Sequence, residues 1–221
     1  MDFFDVVTTT RAIRRYRPDP IPDDDLGRMF FAASRAPSGS NRQPYRFVVL
    51  RDGPRAARAR EVLGRAFRSA WGEKRAGDGY DSGSGADRSS SKARMAATMQ
   101  HFVDHVHEAP AIVLACVRHW HRGHVTEGAS VYPACQNLLL AARALGYGGV
   151  ITMWHAPAEA ELAEILGLPD GVSIAATIPL GRPVGRHGPV RRLPLAELVR
   201  EDGWDGAPDW AVDPPGTRWA G

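Results

Sequence analysis

The sequence predicts an α+β fold around a single core, and three observations carry that expectation. The chain has 221 residues, a length that suits one domain with a sizeable core. Apolar residues make up 43% and charged residues 24%, the balance of an ordinary globular chain. Segments with helical periodicity are mixed with short apolar runs of strand length, without a strict strand-helix-strand rhythm.

The elements follow in order. Residues 2–10 predict a short helix leading into the basic run Arg11, Arg14, Arg15 and Arg17. Pro18, Pro20 and Pro22 form a loop, and Asp23, Asp24 and Asp25 open a helix, since carboxylates favour a helix N-terminus. Leu26, Met29, Phe30 and Ala33 give it one buried face. Ala36-Pro37-Ser38-Gly39-Ser40-Asn41 breaks that helix before a strand at 46–50. Asp52-Gly53-Pro54 then turns into a helix over 55–71. Residues 72–91, rich in Gly, Ser and Asp, predict a flexible, lid-like loop.

A helix bearing Met95, Met99, Phe102 and Val106 follows, then a buried strand at 111–117. The run from Arg118 to His124 is basic and His-rich. Residues 129–145 predict a long buried helix, with Pro133 near its start or at a kink and Gly146, Gly148 and Gly149 ending it. Strands at 150–154 and 172–180 flank a helix at 158–166, and 195–200 predicts a last short helix. The chain thus reads as a domain over 1–202 and an irregular tail over 203–221. Trp204, Trp210 and Trp219 on that tail need a surface, on their own subunit or a partner.

Composition excludes several classes. The apolar runs are too short to span a bilayer, and no basic segment followed by an apolar stretch opens the chain, so a cytoplasmic protein without a membrane partner is expected. Cys116 and Cys135 form no CxxC motif and read as buried thiols. Net charge is +3, with basic clusters near the two ends; that suits a small anionic ligand better than nucleic acid.

Three segments can carry chemistry. In Thr10-Arg11-Ala12-Ile13-Arg14-Arg15-Tyr16, Arg11 and Arg14 can converge on one phosphate; a solvated basic helix end is the alternative. In the segment from Ala36 to Tyr45, small residues permit close approach to a planar ligand, and Ser38, Ser40, Asn41 and Gln43 offer matching polar groups; the alternative is a polar loop. Arg182, just past the last core strand, and Arg191-Arg192 can complete a phosphate cradle, or lie as surface charge. His119, His121 and His124 lack an evident fourth metal ligand despite nearby Glu127, and read as an exposed loop. His155 is either a pocket residue or a satisfied loop histidine.

Taken in order, these segments resemble the nitroreductase superfamily. The basic run at Thr10 to Arg14, the prolines from Pro18 to Pro22, and Ala-Pro-Ser-Gly-Ser-Asn-Arg-Gln-Pro before Phe47-Val48-Val49 all match its pattern. Gln136 to Gly146 resembles its central dimer helix, and Ile178 to Pro183 its final strand and turn. The resemblance implies a mostly antiparallel central sheet flanked by helices, in an intertwined homodimer. FMN would bind noncovalently at the interface, each site built from both subunits.

Carried over, Arg11 and Arg14 look like phosphate ligands, with Thr10 and Ala12 in the same run. Pro37, Ser38, Ser40, Asn41 and Gln43 look like flavin contacts. Ile151, Thr152 and Met153 lie where the backbone passes the ring, and Arg192 where a late arginine reaches the phosphate. Thr10 and Ala12 replace the usual Arg and Ser, a loss that Arg15 or Arg192 can offset.

The implied activity moves hydride from NADH or NADPH through flavin to an electron-poor small molecule, such as a nitroaromatic or quinone. No residue has to act as acid, base or nucleophile. Alternatives on the same scaffold are a dehalogenase, a biosynthetic dehydrogenase, a flavin-destructase-like enzyme, or a flavin-binding protein without turnover.

Overall fold

A four-stranded antiparallel sheet carries the larger of two units in the chain. The computed structural model describes residues 1–120 and 125–217; His121, His124 and Trp219 lie outside them. The larger unit spans 12–186, and residues 1–11 with 187–221 form the smaller. The strands are β1 (Tyr45–Leu50), β2 (Ala111–Arg118), β3 (Gly148–Gly149) and β4 (Val172–Gly181), in the order β1-β2-β4-β3. Tyr45 pairs with Val117 and Leu50 with Ile112, while Ala111 pairs with Leu180 and a bulge falls between Ala115 and Cys116.

Strand β2 is apolar throughout because both of its faces are covered. Ala111, Val113 and Ala115 enter one core with α2 (Asp23–Ala33) and α5 (Gly128–Ala144). Ile112, Leu114 and Cys116 enter another with α3 (Pro54–Gly77), α4 (Ser91–His105) and α6 (Glu159–Leu166). This is the period-two alternation of a strand with a hydrophobic layer on each side. Both cysteines are free and buried, and burial pushes their thiols up, Cys116 to about 11 and Cys135 to about 12.

Two expected boundaries are corrected. Helix α3 does not stop at 71 but continues to Gly77, so 72–77 is helical and the loop is confined to 78–90. Glu73, Lys74, Arg75 and Ala76 propagate the helix, and Lys74 pairs with Asp78 at 2.6 Å one turn on. The edge strand likewise begins at Gly148 instead of 150: Gly148 and Gly149 pair with Gly181 and Leu180, and contact resumes at a Thr152–Thr177 bridge. Gly149 suits this strand because the edge is crowded there. A Cβ on Gly149 would stand 2.5 Å from the Pro179 carbonyl oxygen. Gly146, at φ +84°, is the one that ends α5.

In the smaller unit, α1 (Phe3–Thr9) is capped by Asp2, whose carboxylate accepts from the Phe4 N–H at 2.9 Å. The Thr8 carbonyl accepts from the Val190 N–H, and Asp213 accepts from Leu195 at the start of α7 (Leu195–Leu198), a helix two residues shorter than expected. Trp204 is 87% exposed and Trp210 61%. Among the described residues no helix is long and apolar enough to cross a membrane.

Candidate functional site

Backbone pairing fixes the extended run 13–17 against the sheet. The Ile13 N–H donates to the Gly149 carbonyl at 3.0 Å, Arg17 to that of Arg182 at 2.8 Å, and Val184 to that of Arg15 at 3.1 Å. The Tyr16 hydroxyl lies 2.5 Å from the Ile13 carbonyl and 3.2 Å from that of Pro179. Burial drives its pKa far above the usual tyrosine value, against a smaller opposing pull from Arg14. It stays protonated and acts as a strut.

The open edge of the sheet supplies the other wall. Gly149 pairs with Leu180 and Thr152 with Thr177, one continuous register. Thr152 exchanges both backbone hydrogen bonds with Thr177, at 3.0 and 2.8 Å. Successive residues alternate direction, so 149, 151 and 153 turn their backbone groups away from β4. Ile13 occupies the Gly149 carbonyl and Ala156 the Met153 carbonyl at 3.1 Å, which leaves the edge open at Ile151 and at the Met153 N–H.

A cleft of about 310 Å³ lies there, lined by Arg14, Met99, Phe102 and residues 150–154. Trp154 stacks on Trp71 with centroids 6.5 Å apart and meets Phe67 edge-on, which anchors that wall in the core. The cleft thus combines one cation, edge backbone groups and an aromatic wall. Those features suit a flat anionic heterocycle.

The predicted loop is strained. Ser40, Asn41 and Gln43 have φ of 51°, 52° and 47°, costly for residues with a Cβ. Ser38 accepts from the Gln43 N–H at 2.9 Å, Gln43 reaches the Asn41 side-chain oxygen at 3.1 Å, and Gly39 donates to Ser130 at 3.1 Å. Pro37, Ser40, Asn41 and Gln43 are exposed and Ser38 is half-buried. Within one chain the lining of the Arg14 cleft does not include this loop.

Other expected residues are placed as follows. Ala12 is exposed. In the smaller unit, Thr10 donates its hydroxyl to the Val6 carbonyl at 2.6 Å, Arg11 is exposed, and Arg192 bonds the Arg191 carbonyl at 2.8 Å. Arg182 lies apart from this cleft. Its guanidinium lies over the Tyr147 ring, 4.4 Å from the centroid, and donates to the hydroxyl that in turn donates to Asp25 at 2.8 Å. That network joins β4 to α2, and Arg182 does not line the cleft.

His119 is also corrected. It is no exposed loop residue, for its ring is held by Glu127 at 2.5 Å and Ser173 at 2.7 Å. Among the described residues no group of three or more side chains could hold a metal. His155 is 2% exposed, donates from Nε2 to the Ile174 carbonyl at 2.8 Å, and lines no wall of the cleft. Burial lowers its pKa. Phe102, Met99 and Trp154 line the cleft without having stood out in the sequence; Phe102 and Met99 were visible only as one apolar helix face.

Known proteins are similar to this chain in sequence and fold. The sequence model of the nitroreductase family matches residues 7–182. A relative from Thermus thermophilus, named NADH dehydrogenase, is 32% identical over 203 residues, covering 86% of this chain and 90% of its own. A solved structure from Desulfovibrio desulfuricans, assigned as a nitroreductase and in complex with FMN, is 28% identical; it superposes with TM-score 0.65 over 92% of this chain and 98% of that one. An FMN and NADPH-dependent nitroreductase variant from Sphigopyxis sp. strain HMH reaches TM-score 0.71 at 20% identity, over 92% and 100% of the two chains, a likeness of fold.

Proposed function

The chain belongs to the nitroreductase family, and from that premise we propose an FMN-dependent oxidoreductase that takes hydride from NADH or NADPH and reduces an electron-poor organic acceptor, such as a nitroaromatic or quinone. The observation that carries the proposal is the cleft in which Arg14 faces the open sheet edge at Ile151 and Met153. FMN, when bound, supplies the hydride chemistry. Arg14 opposes negative charge on the ligand, and the Ile151 backbone groups with the Met153 N–H meet polar atoms at a ring edge. Met99, Phe102 and Trp154 exclude water. We assign no acid or base, because His155 is sealed in the core and Tyr16 spends its proton on carbonyls.

We further propose a homodimer in which the 37–43 loop of one subunit completes the cleft of the other. Its support is the strained, exposed loop that the cleft of its own chain lacks. Stopped-flow reduction of the FMN-loaded protein by NADH and by NADPH tests the activity. Rapid bleaching by either supports it, and a flavin that neither nicotinamide reduces sinks it.

A further inference from the structure

Outside the redox cleft, three side chains form a relay at one end of the sheet. Ile174 enters the core shared with α3, α4 and α6, so its neighbour Ser173 turns to the opposite face. That is the face covered by α5, and Glu127 ends the short turn Val125–Glu127 directly before this helix. His119 follows directly on β2. Its N–H donates to the Gly171 carbonyl at 2.8 Å, which carries the ladder past the Val117–Ser173 pair. His119 and Ser173 are thus diagonal neighbours across two strands, on one face and within reach of a long side chain.

The hydrogen bonds assign the protons. Glu127 Oε2 lies 2.5 Å from Nδ1 of His119, and Ser173 Oγ lies 2.7 Å from Nε2. A carboxylate only accepts, so Nδ1 carries the hydrogen. In the neutral ring Nε2 then holds a lone pair, and the Ser173 hydroxyl donates to it. Carboxylate, imidazole and hydroxyl stand in the order that activates a serine: a group that orients the base, the base, and the nucleophile. The relay is sheltered without being sealed. The His119 side chain is 20% exposed and that of Glu127 24%, and Ser173 is half-buried. None of the three lines the redox cleft.

We propose that Ser173 is a nucleophile activated by His119 and Glu127, in a hydrolytic site for activated esters that is separate from the flavin chemistry. As Ser173 Oγ bonds to the acyl carbon, its proton passes to His119 Nε2. Collapse of the tetrahedral adduct breaks the bond to the leaving oxygen, which takes that proton. Water, giving a proton to the same nitrogen, then attacks the acyl-serine. The carboxylic acid leaves, and the proton returns to Ser173 Oγ. Glu127 holds the ring in the tautomer that these steps need and balances the imidazolium charge. No redox change accompanies them, so the inference stands or falls apart from the oxidoreductase reading.

The full-length, FMN-loaded protein is incubated with an alkyl fluorophosphonate, whose P–F bond breaks as Ser173 Oγ bonds to phosphorus. The adduct is located by peptide mass spectrometry, and hydrolysis of 4-nitrophenyl acetate is followed in parallel. The adduct is expected on Ser173. His119→Gln keeps that hydroxyl but cannot take its proton, so labelling and hydrolysis should each slow ~100-fold or more. Glu127→Gln, of the same shape, should slow both as well, and it carries the test if His119→Gln lowers the thermal midpoint. Ser173→Ala should abolish both. A wild-type Ser173 without adduct overturns the proposal. So does an adduct that forms as fast in the two relay variants, the result of a purely structural tie. Ester hydrolysis that persists in Ser173→Ala likewise overturns it.

Discussion

Arg14 owes its place to backbone hydrogen bonds on both sides of it, from Ile13 to Gly149 and from Val184 to Arg15. Its side chain is not needed for that anchoring, so Arg14→Ala should keep the fold and thermal midpoint while weakening FMN by ~10- to 100-fold. Titration of flavin fluorescence checks this, and an unchanged affinity removes Arg14 from the site. The arginine run was readable as an anion binder because guanidinium chemistry is local. Its partner Gly149 was not, since nothing in the run encodes which distant carbonyl receives the Ile13 N–H. Phe102 read only as part of an apolar helix face and Trp154 only as the end of a strand, because cleft walls and cores use the same apolar side chains. His155 carries a pH prediction. Its folded pKa lies below the unfolded value of about 6.5, so the unfolded chain binds the extra proton first. Stability should hold at neutral pH and fall as pH drops below about 6.5. His155→Gln, which keeps an N–H for Ile174, should shallow that loss in thermal melts at pH 5 and 7; an equal slope would place the titrating group elsewhere.

Strand β2 was legible as an element because seven apolar residues in succession fit a strand covered on both faces. The edge strand was legible only in part. Glycines after a helix signal termination, and Gly146 obeys, but Gly149 serves close approach, a tertiary requirement that composition does not announce. Gly149→Ala would press a methyl group onto the Pro179 carbonyl and should cost about 1–3 kcal/mol, seen as a lower thermal midpoint together with weaker FMN binding. A midpoint unchanged from wild type would contradict the close approach. The helix α3 poses the converse case. Its last turn was hidden by the Gly, Ser and Asp content of the window that followed. Gly72 sits inside that helix, and a Cβ added to it would meet nothing within 4 Å. Gly72→Ala should therefore stabilise the protein by about 0.5–1 kcal/mol, measured by denaturant titration. A loss of stability would mean that the helix stops before this point, as the composition of the segment suggests.

At the scale of the whole molecule, the single chain presents separately what the proposed site needs together. Arg14 and the 151–153 edge share a cleft, while the strained 37–43 loop stands outside its lining. Phe3, Phe4, Trp204 and Trp210 of the smaller unit are all more than 60% exposed, apolar surface of the kind a partner covers. A symmetric dimer makes a prediction that no monomeric site can imitate. Arg14→Ala removes the cation from one half of each site, and Ser38→Ala frees the Gln43 N–H that holds the loop in shape on the other half. Either variant alone should bind FMN weakly. In a mixed dimer one site inherits both defects and the other inherits neither, because a two-fold interface pairs each cleft with the opposite loop. Random pairing of the two variants makes half the dimers mixed, with one of two sites intact. Co-expression should thus restore about a quarter of wild-type FMN occupancy, whereas separately purified variants assayed without subunit exchange should restore none. If cleft and loop instead meet within one subunit, every subunit of the mixture carries a defect, and occupancy stays at the level of the single variants.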